Sequence, residues 1–563
     1  MATEIQETTA QRVERLKREK NPWEALDELR AFAARGIHDA PPEWLGTYLR
    51  WWGVYTQGDG GGVVGGRGGG GASAPYLMLR IRLTAGQITA AQLRAVSNVA
   101  QRYARGVADI TVRQNIQLHW ITLENLPGVL DALWSAGLTT KGSCGDDARN
   151  ITSCPVAGID ADEVIDATPL ARAATELLIG GAEFYNLPRK FKVSISGCRA
   201  WCSYPEINDL AFTARERGGA VGFDVRVGGG LSADPHLAVP LGVFVPPDDV
   251  LAVVRATAEV FRDADVLRTH RDRARLKHLF TRHGWTAERF RAAIEQRLGR
   301  ALERDGDARP PAAGHRDHAG IFLQKQPGLV FAGIPILRGR VTVAQLGAVA
   351  GAAERFGSGS VRTTNMQNLL IADVPQERAE GLLRELARVG LSTSASTFAR
   401  GAIACTGTEF CKLAITETKS FARWLVGELE RRMPRFEEHL KLNITGCPNS
   451  CGQHWIADIG IEGKKIRDGN ALVDAYYFCV GGGVGEGASI ARPVGYRCAA
   501  TDVPDAVERL LREFLARRRG AESLRSFLAR HSDDDIRLML GGRPGAVAER
   551  DRPVAAPPHG LEV

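Results

Sequence analysis

The chain repeats itself, and that limits its fold more than any composition does. Five stretches of the first half recur in the same order about 250 residues further on. Ile88-Thr89-Ala90-Ala91-Gln92-Leu93 matches Val341-Thr342-Val343-Ala344-Gln345-Leu346, and Asn115-Ile116-Gln117 matches Asn365-Met366-Gln367. Arg149 and Cys154 match Arg400 and Cys405. Ser196-Gly197-Cys198-Arg199-Ala200-Trp201-Cys202, reaching Asp209, matches Thr445-Gly446-Cys447-Pro448-Asn449-Ser450-Cys451, reaching Asp458; Val227-Gly228-Gly229-Gly230 matches Val480-Gly481-Gly482-Gly483. Each match alone is weak. Five collinear ones point to duplication and a pseudo-twofold architecture, with one functional site in the copy that keeps its full cysteine set.

Local patterns mix strand and helix. In 77–83, Leu77, Leu79, Ile81 and Leu83 share one strand face and Arg80 and Arg82 the other. Segment 112–120 reads as a strand with Arg113, Asn115, Gln117 and His119 on one face, although Gln114 interrupts the apolar side. Segment 191–196 buries Phe191, Val193 and Ile195, with Lys192 sharing the opposite face with Lys190; 439–445 repeats that pattern. Helical periodicity predicts helices over 89–105, 126–136, 342–356, 376–389 and 416–433. The class is α+β. Segment 58–73 is a glycine-rich loop without the Gly-Lys-Ser/Thr of a phosphate loop, 301–320 a linker, and 541–563 a loose tail.

The C-terminal copy holds Cys405 and Cys411 in ACTGTEFC, then Cys447 and Cys451 in TGCPNSC. Thiolates are soft ligands suited to iron–sulfur clusters or zinc. Four-cysteine zinc sites usually pair two knuckles of two to four intervening residues, so the Cys-x5-Cys spacing favours a [4Fe–4S] cluster over zinc. Clustered cations accompany the thiols: Arg80 and Arg82, Arg113, Lys190 and Lys192, and Arg149 in a loop. Cations gathered on strand faces repel one another unless an anion sits among them, and guanidinium forks match carboxylates. A soft-metal cluster beside a cationic pocket points to reduction of an anion, with a polycarboxylate cofactor.

Bulk properties narrow the partners. The formal charge is +7 over 563 residues, and no nucleic-acid motif accompanies it. No apolar run is long enough to span a bilayer, the N-terminus lacks a signal-peptide core, and ten cysteines are too few for a disulfide scaffold. The expectation is a cytoplasmic protein without nucleic-acid or membrane partners. VGGGLS lacks the spacing and acidic residue of a dinucleotide fingerprint, so electrons must come from a separate protein.

ACTGTEFC…TGCPNSC, with VRQNIQLHW, LPRKFK, VGGGLS and the duplication, resembles the sirohaem-dependent assimilatory sulfite and nitrite reductases over roughly residues 20–530. The resemblance implies a [4Fe–4S] cluster coupled to sirohaem, an iron tetrapyrrole rich in carboxylates. It implies six-electron reduction of sulfite to sulfide or nitrite to ammonia, with electrons from reduced ferredoxin. By position, Cys405, Cys411, Cys447 and Cys451 would hold the cluster, Cys451 bridging to the sirohaem iron. Arg80, Arg149, Lys190 and Lys192 would bind the substrate anion. Arg82, Thr111, Arg113, Asn115, Gln117, His119, Asn150 and Asn449 would contact sirohaem or pack at its edge; His119 reads equally well as a core histidine. Gly228–Gly230 either let backbone approach the macrocycle or form a turn.

A three-domain architecture follows from the same resemblance: an N-terminal helical extension (1–50), a first ferredoxin-like half-domain (51–145), a first sirohaem-binding repeat domain (146–310), a second half-domain (320–395), a second repeat domain carrying the cluster cysteines (396–540), and the tail. In the first repeat, Cys154, Cys198 and Cys202 echo three ligand positions while Asp160 stands where Cys411 would fall; they read as buried vestigial or redox-active thiols. Tyr55 and Cys144 fall where some bacterial members carry a tyrosine–cysteine crosslink. Lys192 stands where nitrite reductases of the family often have asparagine, which favours sulfite, whereas the cysteine segment looks closer to nitrite reductases; the reading leans to sulfite, with ferredoxin–nitrite reductase as the alternative. A tetrapyrrole-modifying oxygenase and a non-catalytic iron–sulfur electron-transfer protein are the remaining rivals.

Overall fold

A computed structural model describes residues 7–57, 76–306 and 316–542. The glycine-rich loop and nearly all of the tail expected from sequence lie outside those residues. The two halves are interlocked by strand exchange. One five-stranded sheet orders Val54–Thr56, Tyr76–Ile81, Ile116–Thr122 and Val107–Ile110, and ends on Arg340–Thr342 from the second half. The other orders Gly320–Leu323, Leu329–Ile334, Leu369–Pro375 and Ser360–Thr363, and ends on Gln87–Thr89 from the first. Each exchanged strand runs straight into a helix, Ala90–Tyr103 or Val343–Phe356, started by the same capping box: Thr89 with Gln92, Thr342 with Gln345. Leu93, Val96, Leu346 and Val349 of these helices are fully buried in one shared core. Neither half-domain can bury its apolar face alone, which is why the exchange holds.

The repeat domains are built alike. In the first, Val193–Ser196 pairs parallel with Leu210–Arg217, which hairpins into Ala220–Val227 and on to Val239–Val245. In the second, Ala402–Ala404 and Leu442–Thr445 run parallel to Ile459–Asp468, followed by Ala471–Val480 and Arg492–Ala499. Phe191, Val193 and Ile195 are fully buried, as the alternation requires. The same side-chain clamp starts both sheets: Asp209 accepts the Lys192 amide at 2.8 Å, and Asp458 the Lys441 amide at 2.8 Å. Four of the expected helices appear within three residues of their predicted ends, as Ala90–Tyr103, Leu126–Ser135, Val343–Phe356 and Lys419–Arg432. The one expected over 376–389 opens as a 3-10 turn before Ala379–Ala387.

Two readings need correction. The strand expected over 112–120 begins only at Ile116. Residues 111–115 form a turn in which Thr111 Oγ1 accepts the amides of Arg113 and Asn115, and Gln114 takes φ +57°. The fully buried Gln114 that broke the alternation is the sign of that turn: its amide exchanges two hydrogen bonds with the Ser153 backbone, at 3.0 and 3.2 Å. Its counterpart is Gln367, at φ +62°, making the same exchange with Ala404. The repeat therefore aligns Thr111, Arg113, Gln114 and Asn115 with Thr364, Met366, Gln367 and Asn368. The Asn-x-Gln match drawn from sequence slipped by three residues, because a local triplet carries no information about the turn that holds it.

Candidate active site

The strand Tyr76–Ile81, the turn at 111–115 and the loop carrying Arg149 converge on one cationic surface. Arg80 donates from Nη1 to the Ser143 carbonyl (2.9 Å) and toward Cys144 Sγ (3.0 Å). With its amide oxygen turned toward Arg80, Gln117 accepts from Nη2 at 2.7 Å. Arg149 donates to the carbonyls of Ser143 (3.0 Å) and Gly145 (2.6 Å), and its Nε lies 3.7 Å from Asp147. Arg113 donates to Asn208 Oδ1 (2.8 Å) and the Asn150 carbonyl (2.6 Å). Asn150 in turn ties the Leu83 and Arg113 carbonyls together at 2.7 and 2.9 Å, and Asn115 accepts the Leu83 amide at 3.3 Å. Thr111, Asn115 and Asn150 thus position the cations.

Carboxylates are scarce here. Asp209 is engaged by Arg275 at 2.8 Å, and Asp146 by Arg189 at 3.0 Å and by Arg271. Burial, then repulsion from Arg275, Arg189 and Arg149, pushes Lys190 down to about 7. Lys192 is lowered by burial and by Arg275, Arg113 and Lys190. Burial lowers Arg113 to about 9 and Arg82 to about 10. Several buried polar atoms make no hydrogen bond among the described residues, including the donors Arg82 Nη1, Arg113 Nε and Arg149 Nε and the acceptors Asn150 Oδ1 and both Asp147 carboxylate oxygens. Buried donors left open cost free energy unless a ligand takes them. This surface fits a bound polyanion.

The signature cysteines sit at the edge of that surface. Cys447 is buried, Cys405 and Cys411 are half-buried, and Cys451 is exposed. Each of the first three thiols is raised by burial and then by the charge of Cys451, and Cys451 also acts on Lys190. Cys451 therefore lies near the other three thiols and near Lys190. The Gly446 amide donates to Cys405 Sγ at 3.2 Å, and the Asn449 amide also favours the Cys447 thiolate. No three of these sulfurs come within 4.8 Å of one another, unlike Cys154, Cys198 and Cys202 of the first repeat. A cubane spreads its thiolates wider than a single ion does, and the open arrangement fits one.

His119 packs against the residue that precedes Cys411. Its ring stacks on Phe410 (3.9 Å between centroids), Nδ1 meets Gln57 at 2.8 Å, and Nε2 lies 3.3 Å from Asp109. Burial lowers its pKa, and it belongs to a buried network with Arg340 and Lys419. Tyr55 is raised by burial and then by Cys144, so the two side chains are neighbours, both beside Arg149. Sequence reasoning missed Arg189, Arg275 and Asp209 as members of this electrostatic group. Arg189 stood inside LPRKFK, whereas Arg275 sits in an arginine-rich bend between Arg271–Arg273 and the helix Lys277–Arg282, with no distinguishing pattern.

Two family descriptions match the chain. "Nitrite and sulphite reductase 4Fe-4S domain" covers residues 144–302 and 396–538, and "Nitrite/Sulfite reductase ferredoxin-like half domain" covers 72–136 and 322–389. The chain belongs to the nitrite and sulphite reductase family. Among its relatives, a sulfite reductase [ferredoxin] of Mycobacterium tuberculosis is 36% identical, with 93% of this chain and 95% of the relative aligned. An assimilatory ferredoxin-dependent nitrite reductase of Haloferax mediterranei is 35% identical over 91% and 90%. A ferredoxin–nitrite reductase of Synechococcus elongatus is 36% identical over 91% and 97%. The solved structure of the Mycobacterium tuberculosis NirA protein superposes with a TM-score of 0.88 at 36% identity, covering 93% of this chain and 97% of that one.

Proposed function

We propose that the chain is a ferredoxin-dependent oxidoreductase that reduces sulfite to sulfide or nitrite to ammonia by six electrons, with sulfite preferred. One observation carries the reading: the exposed thiol of Cys451 borders a pocket of cations that have few carboxylates of their own. Cys405, Cys411, Cys447 and Cys451 would hold the [4Fe–4S] cluster, and Cys451 would also ligate the sirohaem iron. Arg82 and Arg113 would present their open N–H groups to sirohaem carboxylates, on a turn that Asn150 holds in place. When bound, sirohaem and cluster supply single electrons at an iron that takes the oxyanion.

The chain's own groups do the rest. Reduction of an oxyanion builds negative charge, and water leaves only after oxygen is protonated. Arg80 and Arg149 are oriented by backbone carbonyls and so stabilise that charge without reorganising. Lys190, with its pKa lowered to about 7, is close to half protonated at neutral pH and exchanges its proton readily, as a general acid requires. Lys192 adds a cation that favours dianionic sulfite over monoanionic nitrite. The nitrite reading stays open on the relatives that carry that name.

A cytoplasmic location fits ten free cysteines, and no helix of the described residues is long and apolar enough to cross a membrane. The domain boundaries given above and a Tyr55–Cys144 bond belong to the same proposal. The family matches at 72–136 and 322–389 lie inside the two half-domains as divided. Intact mass spectrometry of peptides holding Tyr55 and Cys144 tests the bond, and two unmodified linear peptides exclude it. The function is tested by the visible spectrum and by steady-state rates with both anions under one reduced ferredoxin. Anaerobically isolated protein with iron but no tetrapyrrole, or holoenzyme inert toward both anions, would sink it.

A further inference from the structure

The first repeat contains a second compact group of metal-binding side chains, apart from the site above. Cys154, Cys198 and Cys202 are each at most 2% exposed, and their sulfurs lie within 4.8 Å of one another. Sequence comparison of the repeats leaves their fourth corner as Asp160, but Asp160 is turned away into a bidentate pair with Arg316. The corner is filled from the segment leading into the second half-domain. His318, 5% exposed, brings Nε2 to 3.2 Å from Cys202 Sγ and 4.0 Å from Cys154 Sγ.

We propose that Cys154, Cys198, Cys202 and His318 form a structural zinc site that fastens the 316–319 segment to the first repeat.

Four observations support a single tetrahedral ion. With zinc–sulfur bonds of about 2.3 Å and zinc–nitrogen bonds of about 2.0 Å, a sulfur–nitrogen edge of the tetrahedron is ~3.5 Å, and the His318 Nε2 contacts of 3.2 and 4.0 Å bracket it. Cys198 and Cys202 have the Cys-x3-Cys spacing of a zinc knuckle. The Cys202 amide donates to Cys198 Sγ at 3.4 Å, as second-sphere groups do around bound thiolates. Three thiolates and one divalent ion leave a net charge of −1, and Arg362, which donates to the Pro155 and Ala157 carbonyls at 3.0 and 2.6 Å and has no carboxylate hydrogen-bonded to it among the described residues, is a cation near Cys154. On binding, each cysteine gives its proton to solvent and no electron moves. The surroundings are otherwise dry, since the thiols pack among Val156, Ile159, Phe331 and Leu370. Phe331 and Leu370 belong to the second half-domain, so the ion would join two domains at their contact.

Elemental analysis of the holoenzyme, with sirohaem quantified alongside, should find about one zinc per chain in addition to the family's iron. Zinc K-edge absorption on wild-type protein should fit a shell of about three sulfurs and one nitrogen at those bond lengths. Cys202→Ser and His318→Ala should lose the zinc and melt at lower temperature, while retaining the sirohaem bands of any folded fraction. Holoenzyme with full sirohaem but no zinc, a zinc shell of nitrogen and oxygen alone, surplus iron in place of zinc, or a disulfide among the three cysteines would each overturn the assignment. The wild-type absorption data decide even if both variants fail to fold. A colourless preparation would count against the catalytic reading instead and leave this one standing.

Discussion

The two halves share a backbone plan and divide its chemistry. At the positions that give the first half its cations, the second has lost several and pairs or packs away the rest. Arg80 corresponds to Gly333, where the His318 carbonyl lies so close that an added Cβ would meet it at 1.6 Å. Arg82 corresponds to Pro335 and Arg113 to Met366. Arg149 corresponds to Arg400, whose guanidinium is held by Asp317 at 2.7 Å and so presents no open charge. The cysteines show the reverse asymmetry. The second repeat spreads four of them beside the cations, whereas the first draws three together around an imidazole. In the second half, Asp317 and the His318 carbonyl stand against Arg400 and Gly333, the counterparts of Arg149 and Arg80. Duplication supplied two frames, and a few residues on each decide which frame binds and which one braces.

The sharpest way to break that comparison is to make the same substitution in both repeats. Cys447→Ser should remove the cluster signal in electron paramagnetic resonance and take turnover to background. Cys198→Ser, at the matching position, should lower the melting temperature but leave turnover per bound sirohaem near wild type. Equal loss of turnover from both would mean that the first repeat is not merely a brace. Next in size is Lys190→Met. Removing a positioned acid should cost about 10²–10⁴ in kcat, whereas His439→Met, its counterpart in the second repeat, should cost little. The sign with pH follows from the lowered pKa. Lys190 carries its proton below about 7 and loses it above, so kcat should fall as pH rises; bound carboxylates and substrate move that limb upward. Lys190→Arg, which stays charged, should flatten the limb.

Lys192→Asn probes the choice of anion within the working pocket. Its expected effect is severalfold, with kcat/KM for sulfite falling more than for nitrite, since one cation among several is removed from a half-exposed position. Equal losses on both substrates would leave charge without a part in the preference. Lys441→Asn in the other repeat should change neither ratio, because the Lys441 ammonium sits over the Tyr204 ring at 4.7 Å with Asp458 and Glu206 as acidic neighbours.

Much of this division was legible before any coordinates. The signature cysteines, the cations of LPRKFK and the duplication follow from residue types at recurring positions, and such spacing survives folding unchanged. What stayed hidden depends on contacts between distant segments. Gln114 breaks an alternation, but only its double hydrogen bond with Ser153 shows that it clamps a turn rather than interrupting a strand. Arg275 joins Asp209 across 66 residues, a pairing no local pattern announces. His318 sits in what reads as a linker, and a single histidine has no period to betray it. His119 shows the limit of motif position, which left a core role and a cofactor role equally good; the structure adds that its ring packs against Phe410 and Asp109.

The smallest expected effect concerns how electrons enter, and it again turns on one pair of equivalent positions. In the first repeat Asp160 is closed over by Arg316. In the second, Cys411 is followed by half-exposed Lys412 and by Leu413, an apolar side chain 54% exposed. An exposed leucine and a basic residue next to a cluster ligand suit an acidic donor that docks on a small apolar contact, steered by charge. Lys412→Glu should therefore raise KM for ferredoxin a few-fold at low ionic strength, and the difference from wild type should shrink as salt screens the approach. Turnover with a small artificial reductant, which needs no docking face, should stay the same. A defect that persists at high salt, or appears equally with the artificial donor, would place the entry route on another face of the second repeat.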